Sequence, residues 1–85
     1  MREFNYTIKS QVGIHLRPAA ELTAVAERFD SRVRITKEDV TMNGKSVMSV
    51  ISLCVKQGDE VTITVEGKDE DLACNALQDF FESRL

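Results

Sequence analysis

Eighty-five residues are enough for one hydrophobic core and too few for a nucleotide-binding fold beside a second domain, so a single domain over residues 1–85 is expected. Apolar residues make up 42% of the chain and charged residues 29%, a globular balance that argues against both disorder and membrane insertion. Eleven basic against fourteen acidic side chains leave a net charge of -3 without a Lys/Arg cluster, which argues against nucleic acid as a partner.

Phe4, Tyr6 and Ile8 alternate with Asn5, Thr7 and Lys9, the period of a strand with one buried face, and predict a strand over 2–9. Past the Ser10-Gln11-Val12-Gly13 loop, Pro18 marks the start of a helix. Ala19, Leu22, Val25, Ala26 and Phe29 then recur at helical spacing, which places that helix at about 16–28. Val33 with Ile35 and Val40 with Met42 alternate with polar residues on either side of Lys37-Glu38-Asp39, so two short strands joined by a tight turn are expected. Asn43-Gly44-Lys45 interrupts the chain, and Ser46 is a suitable N-cap for a short helix over about 47–53. Val61, Ile63 and Val65 alternate with Thr62, Thr64 and Glu66 in the most regular strand, which Gly67 closes. Asp69 is placed to cap a last helix over 70–84, whose Leu72, Ala73, Ala76, Leu77, Phe80 and Phe81 form one wide apolar face.

The element order is therefore β-α-β-β-α-β-α, with every strand apolar on one face only. That pattern predicts an α+β fold, an open-faced β-sandwich in which a four-stranded antiparallel sheet carries three helices on one face and meets water on the other.

Candidate chemistry is sparse. The N-terminal Met-Arg-Glu-Phe-Asn-Tyr contains no apolar export segment, and a cytoplasmic location is expected. Cys54 and Cys74 lack CxxC spacing and the chain has one histidine, so no metal site and no cofactor are expected; both thiols are read as reduced and buried. Gly44-Lys45-Ser46 has the ending of a phosphate-binding Walker loop, but the upstream glycine would fall at Asp39 and no long helix follows, which excludes it. The short second helix is apolar nearly all round. Val47, Met48 and Ile51 share one side of it, so they are expected to form an exposed docking surface unless the helix sinks deeper into the core.

His15 and Arg17 flank Leu16 just before Pro18, setting an imidazole and a guanidinium at the mouth of the first helix. Free amide N–H groups and the positive end of the helix dipole hold anions there, and a guanidinium fork matches phosphoryl oxygens. Phosphoryl transfer needs mainly positioning and charge stabilisation, which a small protein can supply. On these two residues alone, an incidental histidine at a helix end is the commoner reading.

The run Gly13-Ile14-His15-Leu16-Arg17-Pro18-Ala19-Ala20 resembles the active-site motif of the HPr family, the histidine-containing phosphocarriers of the bacterial phosphoenolpyruvate:sugar phosphotransferase system. The resemblance continues through Gly44-Lys45-Ser46-Val47-Met48, Ser52-Leu53 and Val65-Glu66-Gly67. It implies that enzyme I, charged by phosphoenolpyruvate, phosphorylates His15 on Nδ1, that Arg17 stabilises the phosphoryl group, and that enzyme II A components receive it. Leu16, Ala20, Val47, Met48 and Ile51 correspond to the family's partner-binding surface. Ser46 matches a serine that HPr kinase/phosphorylase modifies with ATP in some members, linking the carrier to a catabolite-control regulator.

With no second acid-base residue near His15, the resemblance implies a monomeric phosphorylated intermediate rather than an enzyme. Two alternatives share the fold: a nitrogen-related phosphotransferase carrier, and a serine-phosphorylated co-repressor partner that lacks the active-site histidine. The chain departs from the family at Lys37-Glu38-Asp39, at Ser49, at Leu16 and at Cys54, where glycine is frequent. A side chain at position 54 disfavours any positive φ there.

Overall fold

The four alternating segments pair into one antiparallel sheet in a computed structural model that describes residues 1–85. In chain order the elements are β1 (Arg2–Thr7), α1 (Leu16–Glu27), β2 (Arg32–Lys37), β3 (Val40–Asn43), α2 (Val47–Ser52), β4 (Glu60–Glu66) and α3 (Glu70–Arg84). The strands lie in the order β1-β4-β2-β3. β4, the strand with the cleanest alternation, is thus an inner strand: Ile63 sits opposite Phe4 on one side and Ile35 on the other. Pairing on both edges and burial of one face explain why its period is so strict.

The three helices cover the face that carries Val33, Ile35, Val61, Ile63 and Val65. Leu22 and Ala26 of α1, Val50 of α2 and Leu77 of α3 close the same core of nineteen buried residues. Phe81, the largest fully buried side chain, takes the edges of Phe4 and Tyr6 at ring-centre distances of 5.8 and 5.5 Å, which docks α3 on β1. The opposite face is polar. Thr62 Oγ1 donates to Asn5 Oδ1 at 2.7 Å there, and the Thr36 and Thr41 hydroxyls lie 2.8 Å apart.

Four expectations need correction. The regular strand β1 ends at Thr7 rather than residue 9, because the Lys9 and Ser10 amides turn away to donate to the Leu85 oxygen at 2.6 and 2.8 Å. Asp69 stands at the N-cap of α3 but makes no side-chain cap bond. Its carboxylate instead accepts from the Ser31 hydroxyl and from the amides of Asp30 and Ser31, both at 2.9 Å, and so clamps the turn between α1 and β2. Leu72 points to solvent, 68% exposed, while Cys74 takes an inward position on α3. Cys54 is exposed, not buried.

The two departures from the family pattern at turns carry backbone strain. Glu38 in the β2–β3 turn and Cys54 after α2 have φ of 55° and 52°, a conformation that side chains disfavour. At Cys54 the chain is held from outside. Lys37 Nζ donates to the Leu53 and Cys54 carbonyls at 3.3 and 3.0 Å and pairs with Asp59 Oδ2 at 3.0 Å. A cation on the last carbonyls of a helix also opposes the negative end of its dipole.

Candidate functional site

The loop between β1 and α1 is pinned from below. Gly13, at φ 64°, lies so close to the segment after α2 that a β-carbon would come within 2.3 Å of the Val55 oxygen. The next amide, that of Ile14, donates to this oxygen at 3.1 Å, and the Ile14 side chain is buried in the core. Anchored in this way, the backbone delivers His15 to the surface as the N-cap of α1, in extended conformation with φ -95° and ψ -166°. Its carbonyl accepts the first helical bond from the Ala19 amide at 3.0 Å, while its side chain makes no cap bond. The imidazole is exposed, and helix capping occupies neither ring nitrogen.

Pro18 is the third helical residue, not the first, and is buried. The position is tolerated because an amide there would lack a helical partner anyway. The amides of Leu16 and Arg17 remain, directed past the N-terminus of a twelve-residue helix. Arg17 is exposed and enters none of the molecule's ion pairs, so its guanidinium is available to an anion.

Beside His15 lies a shallow depression of about 310 Å³, lined by Ser10, His15, Arg17, Pro18, Glu21 and Arg84. Glu21 and Arg84 bridge across it, with Arg84 Nη2 2.8 Å from Glu21 Oε2. Sequence reading missed both residues. Glu21 lies one helical turn beyond Arg17 and was visible in principle; Arg84 is sixty-three positions from Glu21, and only the packing of α3 on α1 brings it there.

The expected docking residues fall on two neighbouring helices, since α1 packs on α2. Leu16 and Ala20 are exposed one turn apart on α1, and Met48 on α2 is 72% exposed. Val47 and Ile51 are only half-exposed and pack partly on the core. The apolar surface is therefore narrower than helical periodicity suggests, because Val47 and Ile51 flank the buried Val50 and lie partly against the core. Ser46 is the N-cap of α2, with its Oγ accepting from the Ser49 amide at 3.3 Å. It lies outside the depression, on a turn tied by Lys45, whose amide donates to Asn43 Oδ1 at 2.9 Å and whose Nζ donates to the Phe29 carbonyl at 2.6 Å. No helix is long and apolar enough to cross a membrane.

The family model described as "PTS HPr component phosphorylation site" matches residues 2–83. The phosphocarrier protein HPr of Lysinibacillus sphaericus is 42% identical over 77 residues, spanning 91% of this chain and 88% of the relative. Among solved structures, HPr-C-His from Thermoanaerobacter tengcongensis superposes with a TM-score of 0.93 at 41% identity, covering 98% of this chain and 93% of that one. A Mycoplasma histidine-containing phosphocarrier protein gives the same TM-score, 0.93, at 34% identity, covering 96% and 93%.

Proposed function

This chain belongs to the HPr family of phosphotransferase-system phosphocarriers, and from that premise we propose that His15 accepts the phosphoryl group from phosphorylated enzyme I and yields it to enzyme II A components. One observation carries the assignment to His15: an exposed imidazole, free of any capping role, stands at the mouth of α1 beside the unpaired guanidinium of Arg17. In the forward step a ring nitrogen of His15 gives its lone pair to phosphorus while the bond from phosphorus to the donor breaks and its electron pair leaves with the donor. Transfer onward reverses these roles, with the acceptor as nucleophile. The protein itself returns unchanged, a carrier without turnover of its own, working as one domain in the cytoplasm and needing no cofactor.

Arg17 and the Leu16 and Arg17 amides stabilise the charge that spreads over the phosphoryl oxygens. Leu16, Ala20, Val47, Met48 and Ile51 supply the apolar contact that holds a partner while the group passes. Ser46 is the regulatory position: a phosphate at a helix N-terminus is favourable for the helix, but about two negative charges beside Val47 and Met48 oppose docking.

Incubation with phosphoenolpyruvate and enzyme I is expected to give an acid-labile, base-stable adduct on His15 that His15→Ala abolishes. An adduct that survives His15→Ala overturns the assignment. Incubation with ATP and HPr kinase/phosphorylase is expected to give an acid-stable adduct lost in Ser46→Ala; modification elsewhere overturns the regulatory role.

A further inference from the structure

We propose that Arg84 is a second phosphoryl-binding residue, held by Glu21 while His15 is free and passed to the phosphoryl oxygens when His15 is charged. The inference rests on His15 being the phosphoryl acceptor. Arg84, Glu21, Arg17 and His15 line one depression. Arg84 is the last residue of α3, where a helix would ordinarily fray, yet its surroundings are fixed. The following residue, Leu85, is buried, and its oxygen accepts from the amides of Lys9 and Ser10 in the same loop that carries His15. The backbone that bears Arg84 is therefore tied to the site, while the long side chain keeps its freedom to swing.

Charge decides the direction of the swing. In the free protein Arg84 faces one carboxylate, Glu21 Oε2, at 2.8 Å, in a bridge whose side chains are 57% and 35% exposed. Exposed pairs of this kind are held weakly enough to exchange. A phosphoryl group brings nearly two negative charges and three acceptor oxygens, more than Arg17 alone balances, and guanidinium forks bind such groups in preference to a single carboxylate. Glu21, once released, is left beside a dianion. The pair thus favours the free carrier through the bridge and the charged carrier through Arg84, so that neither state is held too tightly for onward transfer.

A purely structural role, a clip between α1 and α3, makes a different prediction, because breaking the clip from either end would then act alike. The test follows the ionisation of the phosphoryl group by phosphorus NMR and the equilibrium of transfer with phosphorylated enzyme I, for the whole chain and for Arg84→Gln, Glu21→Gln and the double variant. Arg84→Gln is expected to raise the pH midpoint of the phosphoryl ionisation and to shift the equilibrium about threefold against the charged carrier, the size typical of one exposed guanidinium contact. Glu21→Gln is expected to move both in the opposite sense, and to do so less in the Arg84→Gln background. Arg84→Lys, which keeps the charge without the fork, is expected to fall between, and stands in if Arg84→Gln loses the fold. Unchanged values in both Arg84 variants, or shifts of the same sign in Arg84→Gln and Glu21→Gln, overturn the role of Arg84 while a normal adduct on His15 leaves the carrier assignment standing. Absence of that adduct in the unaltered chain overturns both.

Discussion

Gly13→Ala is the substitution expected to damage the site most without touching a reacting group. At φ 64° a β-carbon costs about 1–2 kcal/mol of torsional strain, less about 0.4–1 kcal/mol because alanine restricts the unfolded chain. The new carbon would also stand 2.3 Å from the Val55 oxygen and 2.9 Å from the Lys56 α-carbon, both backbone, so no flexible side chain can yield. Opening that contact breaks the bond from the Ile14 amide to Val55, a further loss of about 0.5–1.5 kcal/mol. Together these give roughly 0.5–3 kcal/mol, or a fall in Tm of about 2–24 °C for a domain of this size, and the backbone clash places the loss towards the upper end. Gly58→Ala supplies the control: its φ is 91° but nothing lies within 4 Å, so it carries torsional strain alone. Urea titration followed by circular dichroism measures both variants, and phosphoryl acceptance by the folded fraction reports whether His15 is still presented. Equal losses in the two variants would refute the idea that the loop is held by close backbone approach.

Cys54→Gly relieves a φ of 52° at an exposed position and is expected to raise stability by about 0.5–1 kcal/mol; a lower urea midpoint contradicts this. Ser46→Ala removes the cap on α2 and is expected to cost about 0.5–1 kcal/mol, at the low end for caps because the bond to Ser49 is 3.3 Å long. Leu77→Ala is expected to cost about 2–5 kcal/mol, whereas Leu72→Ala changes stability by less than about 0.5 kcal/mol; comparable losses would mean that both leucines face the core. The Ser31 hydroxyl, with the amides of Asp30 and Ser31, holds the Asp69 carboxyl below the usual carboxylate range, as the Lys56 amide and Lys37 do for Asp59. Both contributions are therefore complete above the ordinary carboxylate range and vanish as pH falls through the lowered values. Below about pH 4 the urea midpoint should fall less steeply in Asp69→Asn than in the unaltered chain, and parallel curves would argue against the clamp.

Local pattern was sufficient for most of the architecture. The strict alternation of Val61, Ile63 and Val65 and the helical spacing of Ala19, Leu22 and Ala26 each reflect burial of one face, so element type, order and the one-sided sheet could be read directly. The position of His15 and Arg17 at a helix mouth was legible because a helix end is a feature built from neighbours in sequence. Asp69 was misread for a related reason. An aspartate before a helix has a local use as a cap, but its carboxylate found three donors around Ser31, thirty-eight positions away. Leu72 likewise left its expected inward position, because a helix in a two-layer fold buries an arc set by the tilt of its packing, which periodicity alone leaves undetermined.

By itself the sequence determined the one-faced strands, the helices and the placing of His15 and Arg17 at a helix mouth, since each depends on contacts within a turn or a pleat. Tertiary structure alone decided which distant groups surround that helix mouth. The close approach of Gly13 to Val55, the tie from Leu85 to the loop before His15, and the bridge from Arg84 to Glu21 all join residues far apart in the chain, and no local spacing encodes such meetings.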